Sequence, residues 1–328
     1  MAKTIFGLPF DEELFLNAWH DLPDPVGLAL LESGAMVQDN LIASRIQQDG
    51  NLYTIPFYNE LGGDPANYDG IDDVPFQTIT GGSQSGIVFG RMQGWDAKDF
   101  TGDLSSGDPM GAIVRKVGGF WRKYRHGVIL NVLEAIFGLN DMSDRIIPVS
   151  DTMGETTLSD TAVDTLGEAE GMYSLAIMHS QVAKTLRNLE LLEYRKGVDP
   201  LAYGRAPRIA DCLGFTVVID DRVPKTVNTD TGAVTYATYL LGKGVLRQAN
   251  GALKMPVETA RDPVTNGGIE MLITRIRETI HPNGFSYTIP VSGFTESPTD
   301  AQLAASANWS LVHNLNAIPL AKITTING

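Results

Sequence analysis

The segment from Pro109 to Phe137 constrains this chain more than any other. Asp108 suits an N-cap, Pro109 suits the first helical position, and Gly138 can end the helix. Ile113, Val117, Phe120, Tyr124, Val128 and Val132 recur at three or four residues and mark one apolar stripe. At 1.5 Å per residue this predicts a rod of roughly 44 Å. Gly118, Gly119 and Gly127 weaken an isolated helix, so packing must hold it straight. A second element has nearly the same length. Ile269 to Ile280 reads as a strand of about 40 Å at 3.3 Å per residue. Its apolar phase shifts between Ile273 and Ile276, which predicts a bulge. A helix laid along a long, thin sheet makes an elongated slab.

The remaining segments divide by character. Residues 1–47 read as an arm, interrupted by Pro9, Pro23 and Pro25, with Asp11, Glu12 and Glu13 leading a short amphipathic turn around Leu14, Phe15 and Trp19. Residues 48–100 read as an extended β-hairpin: "NLYTIPFYNEL" and "FQTITGGSQSGIVFGRMQGW" are strand-like and flank the acidic, turn-rich "GGDPANYDGIDDVPF". Such a hairpin is barely stable alone and needs a surface to lie against. Residues 101–150 hold the long helix. Residues 151–254 read as a compact α/β unit, with strands in "SLAIMHS", "FTVVIDDRVP" and "VTYATYLLGKGVL" and a helix in "QVAKTLRNLELLEY" with Ser180 as its expected cap. Residues 255–328 return to β structure and end with a short capped helix in "SPTDAQLAASANWSLV". An arm, an overhanging hairpin and a slender slab expose more surface than a monomer keeps soluble, which points to assembly.

Composition narrows the function classes. The 328 residues are 43% hydrophobic and 20% charged, near a globular average. The net charge of −14 gives no field that would steer the chain to nucleic acid. No apolar run nears the roughly 18 residues of a membrane span, and the N-terminus lacks a signal-peptide core. Cys212, the single cysteine, excludes an intrachain disulfide and reads as a buried small hydrophobe.

Candidate chemistry is thin. His281 stands in "HPNG", where Pro282 and Gly284 fit a tight turn, so His281 reads as its first residue more readily than as a base or ligand. His20, His126, His179 and His313 form no metal-binding pattern with it. "GGSQSG" lacks the glycine spacing of a hydrolase nucleophile elbow and the lysine of a phosphate loop, and reads as flexible hairpin backbone. Asp220 and Asp221 end a buried strand, where magnesium sites of α/β enzymes often sit; plain loop residues are the competing reading. No cofactor is expected. Arg115, Lys116, Arg122, Lys123 and Arg125 make a basic band on the long helix, while Asp64, Asp69, Asp72 and Asp73 make the hairpin tip acidic. Complementary signs of this kind steer and register a neighbouring copy.

The order of these elements, with the local sequences "AIMHSQVAKTLRNLELLEY", "GFTVVIDDRVP" and "VETARDPVTNGGIEMLITRIRETIHPNGFSY", resembles the tailed-bacteriophage major capsid protein with the Hong Kong 97-type capsid fold. The resemblance runs from about residue 48 to the end. It implies an α+β fold: N-terminal arm, extended hairpin loop (48–100), a peripheral domain of spine helix (101–150) and long strands (255–328), and an α/β axial domain (151–254). It implies a virion protein, assembled in the host cytoplasm, that forms hexamers and pentamers in an icosahedral shell around double-stranded DNA, without sequence-specific DNA contacts, membrane or catalytic residues. The short segment before the hairpin leads us to expect a separate scaffolding protein and no N-terminal cleavage, and the resemblance implies a portal as a further partner. The hairpin tip has no lysine, so no covalent cross-link of the kind some relatives make is expected. An encapsulin-type nanocompartment shell shares the fold, and a metal-dependent α/β enzyme using Asp220 and Asp221 is the alternative from another class.

Overall fold

The computed structural model describes residues 4–5, 8–9, 25–48, 50–59, 61–63, 67–68, 74, 76–99, 109–194, 209–229 and 232–326. The amphipathic turn expected around Leu14, Phe15 and Trp19, and Asp108, lie outside them. The N-terminal part holds a short strand pair, β1 (Thr4–Ile5) and β2 (Leu8–Pro9), then α1 (Pro25–Glu32), β3 (Met36–Gln38) and α2 (Asn40–Gln48). Asp39 caps α2, its Oδ1 accepting from the N–H groups of Leu41 and Ile42 at 2.9 and 3.2 Å.

The hairpin forms from β4 (Leu52–Tyr58) and β5 (Gly81–Ile87). The second strand read from sequence does not continue. It breaks at Val88, and β6 (Phe89–Lys98) joins a different sheet. The reason lies on the late strand. Its ladder with β6 ends at the pair Glu278–Phe89, and the next residue, Thr279, donates its hydroxyl to the Ile87 carbonyl at 2.7 Å. "GGSQSG" is also not merely flexible. Gly86 lies opposite Tyr53 and Gly82 opposite Phe57, and each ring covers its glycine. A Cβ at Gly86 would stand 2.3 Å from the Tyr53 ring. Gly86→Ala is therefore expected to destabilise the hairpin root by about 1–3 kcal/mol, read as a lowered urea midpoint, whereas a neutral result would mean the ring is not held there.

The long helix, α3, spans Pro109–Phe137, as its stripe and flanking residues predict. The elements that follow it are β7 (Ile146–Pro148), α4 (Thr157–Leu166), β8 (Tyr173–Met178), α5 (Ser180–Asn188), β9 (Glu193–Tyr194), β10 (Ile209–Cys212), β11 (Phe215–Ile219), β12 (Lys225–Val227) and β13 (Val234–Gly242). The closing part holds β14 (Leu246–Asn250), β15 (Val257–Asp262), β16 (Ile269–Pro282), β17 (Phe285–Tyr287), α6 (Asp300–Ala304), β18 (Trp309–Leu311) and β19 (Leu320–Ile326). "VTYATYLLGKGVL" is thus two strands in two sheets, divided by a turn at Lys243–Gly244. Thr299 and Gln302 form the capping box of the expected short helix α6. His179, not Ser180, caps α5, its Nδ1 accepting from Gln181 N–H at 3.1 Å.

Two sheets organise the chain. The eight-stranded sheet runs β7-β19-β13-β8-β11-β10-β9, with β12 beside β13. Its side chains alternate between two cores. Leu175, Ile177, Tyr239, Leu241 and Leu320 face one with α1 and the second half of α3. Ala176, Met178, Leu240, Ala321 and Ile323 face the other with α4 and α5. Cys212 is buried in that second core, as expected. The five-stranded sheet runs β15-β16-β14-β3, with β6 beside β16. The first half of α3 covers one of its faces through Met110, Val117 and Trp121, which meet Val257, Leu272 and Ala97. One helix therefore packs against both sheets.

Two expectations about this pairing need correction. Phe120 is 42% exposed, and its neighbour Trp121 is the buried residue, donating Nε1–H to Thr274 at 3.0 Å. The bulge in β16 is absent, because its register against β6 runs unbroken from Ile269 to Glu278. The phase shift has another cause. Thr274 and Glu278 are polar yet lie on the helix-covered face, where Trp121 donates to Thr274 and Arg125 pairs with one Glu278 oxygen, and the end of the strand is buried on both faces.

Candidate assembly surface

The hairpin root is fixed from several sides. Tyr53 O–H lies 3.1 Å from Thr279 Oγ1, Ser85 N–H donates to Ser286 Oγ at 2.8 Å, and Gly284 N–H donates to Gln84 Oε1 at 3.1 Å. His281 is buried between Tyr53 and Trp309, with ring centroids at 6.0 and 6.1 Å. It is thus a strand residue opposite Arg247 rather than the first residue of a turn, and the turn proper is Asn283–Gly284, with Gly284 at φ 91°. Burial, reinforced by the Arg247 charge, pushes the imidazole down to about 3. A ring this deeply buried is out of reach of an external ligand.

Beyond the root the character changes abruptly. Tyr58, Leu61, Tyr68, Val74, Phe76 and Ile79 are all exposed, Tyr68 at 99% and Phe76 at 94%. So much apolar surface on one projecting segment is costly for a lone chain. The acidic residues Asp64, Asp69, Asp72 and Asp73 lie outside the described residues.

The basic band on α3 divides by role. Arg125 is committed within the chain, its Nη2 standing 2.7 Å from Glu278 Oε2. Arg122 is half-buried, whereas Lys116 and Lys123 are exposed. The side chain of Arg115 lies outside the description. The Lys123 carbonyl accepts from Arg222, which also contacts His126 and Asp220. Burial opposes the Asp220 charge, but hydrogen bonds from His126 and Arg222 outweigh it and hold the carboxyl well below its usual range. Asp221 accepts from Ser180 N–H at 3.2 Å. The two aspartates thus link a loop to two helices. Among the described residues no group of three or more His, Cys, Asp or Glu could hold a metal ion, and no helix is long and apolar enough to cross a membrane.

A second joint lies nearer the end of α3. Lys322 Nζ stands 2.8 and 2.9 Å from the two Glu134 oxygens, Tyr239 O–H donates to Glu134, and the ammonium lies over the Phe137 and Tyr239 rings. Both joints bind α3 to the eight-stranded sheet and its loops. Sequence reading missed them because their members lie about 100 residues or more apart along the chain. These contacts are structural and suit a rigid building unit.

No family model matches the chain. The major capsid protein of Bacillus phage SPP1 is 29% identical over 299 residues, covering 90% of this chain and 90% of that protein. Among solved structures, the capsid of Ralstonia phage GP4 matches with a TM-score of 0.59 over 88% of this chain and 86% of that one, at 11% identity. This is the Hong Kong 97-type capsid fold. The capsid of Helicobacter pylori bacteriophage KHP30 matches it too, with a TM-score of 0.52 over 89% of this chain and 87% of that one, at 10% identity. This capsid-fold chain is therefore a homologue of a phage major capsid protein, and the proteins it matches are structural shell components rather than enzymes. The resemblance carried by the order of its elements is borne out.

Proposed function

We propose that this chain is the major capsid protein of a tailed phage, and that its copies assemble as hexamers and pentamers into a closed shell around double-stranded DNA. The observation that carries this reading is the sequence match to a phage major capsid protein over nine tenths of both chains. The hairpin supports it, since its exposed apolar residues need a partner surface, and identical copies supply one. In this reading the eight-stranded unit packs around the capsomer axis and the five-stranded slab with α3 forms the outer part of each capsomer. A scaffolding protein and a portal are the further partners in this reading.

Electron microscopy of the expressed protein tests the proposal. Closed shells of uniform diameter are expected, and virions should contain intact subunits on a denaturing gel. A small soluble oligomer at high concentration would overturn it. Shells that take up protein cargo and never DNA would favour the nanocompartment alternative instead.

The helix band enters as a secondary contact. Lys116→Glu combined with Lys123→Glu is expected to lower shell yield a few-fold at low salt and less at high salt, because exposed charges act mainly on encounter and register. Thermal unfolding of the subunit should not move. Salt-independent yield would rule the band out as a contact.

A further inference from the structure

The junction between the two sheets carries a cavity of about 420 Å³. It sits where the Lys243–Gly244 turn, the end of β16 and the approach to β19 converge. Val37, Met172, Val245 and Pro319 give it an apolar lining, and Lys243 and Arg247 bring two cations against the one carboxylate of Asp39. Val37 and Met172 remain 44% and 38% exposed, so the lining is incomplete in the lone chain. Arg247 is partly offset by Asp39, 3.1 Å away. Lys243 is exposed and makes no salt bridge among the described residues. After burial, the charge of Arg247 is what pushes both His281 and His313 below the ordinary histidine value. A positive, half-apolar recess is unusual on a chain of net charge −14.

We infer that this cavity receives the acidic hairpin tip of a second copy. The inference rests on the shell reading given above. The tip matches the cavity in both kinds of surface. "NYDGIDDVPF" interleaves Asp69, Asp72 and Asp73 with Tyr68, Ile71, Val74 and Phe76, and Tyr68, Val74 and Phe76 are exposed in the lone chain. The cavity has room for roughly two or three side chains, enough for one aromatic or aliphatic anchor with a carboxylate beside it. The α3 band offers less. Arg125 is already paired with Glu278, and Lys116 and Lys123 stand on an open helix surface where water screens them. Lys243 stands instead beside an apolar lining, so a charge contact there is coupled to an anchor that fixes register.

Reach permits it. The seven residues of β4 extend about 23 Å from the root at 3.3 Å per residue, and the chain continues for 22 residues before Gly81. That is long enough to leave the parent subunit.

Zero-length carbodiimide coupling tests the contact in assembled shells made from mixed light- and heavy-isotope subunits. The reagent joins Lys243 Nζ to an aspartate carboxyl with loss of water, which the carbodiimide takes up as its urea. A mixed-isotope peptide joining Lys243 to Asp64, Asp69, Asp72 or Asp73 is expected. Charge reversal supplies the second arm. Lys243→Glu should lower shell yield roughly tenfold or more at low salt without changing subunit unfolding, and adding Asp72→Lys with Asp73→Lys should restore most of it. Wild-type shells lacking that cross-link, or a Lys243→Glu chain that assembles normally at low salt, would overturn the inference while leaving the shell reading intact. A wild-type chain that never forms shells would instead overturn the shell reading itself.

Discussion

Arg125→Ala is expected to destabilise the unassembled subunit by about 3–5 kcal/mol, because it strands a buried charge. Glu278 is 2% exposed, and its Oε2 takes both the Nε of Arg125 at 2.9 Å and the Nη2 at 2.7 Å. Its other oxygen is buried with no hydrogen-bond partner among the described residues, so no second cation is at hand. Without Arg125 the carboxylate is left in an apolar seam with no cation beside it, which costs free energy. Adding Glu278→Gln should recover part of the loss, since it removes the charge and keeps the shape. Urea unfolding monitored by tryptophan emission suits the measurement, because Trp121 lies one helical turn away on the same seam. A loss below about 1 kcal/mol would mean that water reaches Glu278 and that the pair is effectively a surface salt bridge.

The same seam separates what the sequence discloses from what it conceals. α3 was legible because its stripe, Pro109 and Gly138 are local signals that agree. The short helix α6 was legible for the same reason, through Thr299 and Gln302. β16 was legible as a long strand but not as a straight one. Thr274 and Glu278 break its alternation, and their partners, Trp121 and Arg125, lie some 150 residues earlier. Periodicity counts apolar residues and cannot recognise a polar residue satisfied from another element. His281 was misplaced by the opposite error. "HPNG" carries strong turn chemistry, yet the strand extends through Pro282 because β14 pairs with it that far. "GGSQSG" read as flexible because nothing local says that Tyr53 and Phe57 lie across from its glycines. For the assembly surface, composition gave the acidic tip and the basic band. It could not separate Arg125, spent within the chain, from Lys116 and Lys123, nor bring Lys243 beside Arg247. Those facts depend on which way a side chain faces after folding.

Acidification should loosen the hairpin root through His281. Three elements besides its own strand press on this ring: β14 with Arg247, β4 with Tyr53 and β18 with Trp309. Arg247 is the charged group among them, and Asp39 only partly offsets it. The folded value is pushed down to about 3, against an ordinary value of 6.5. Above pH 6.5 the imidazole is neutral in both states and contributes no pH dependence. Between about 6.5 and 3 the unfolded chain binds a proton that the folded chain refuses, so stability falls as the pH falls, by at most about 1.4 kcal/mol per pH unit. Across the window the loss approaches roughly 4–5 kcal/mol, an upper bound that local opening would reduce. Burial depresses His313 and His179 in the same direction, so they steepen the limb. Asp220 acts lower, because a carboxyl held below its ordinary 3.8 gives up stability only as the pH falls through that region. The two ranges are separable by the urea midpoint at pH 7, 6, 5 and 4. His281→Leu, which keeps an apolar filler between Tyr53 and Trp309, should flatten the limb between pH 6.5 and 4 and leave the carboxyl range unchanged. An undiminished slope in that variant would assign the acid response to other groups. A flattened slope, together with faster proteolysis of wild type near residues 50–59 at pH 4, would identify the root as the part of the subunit that acid opens first.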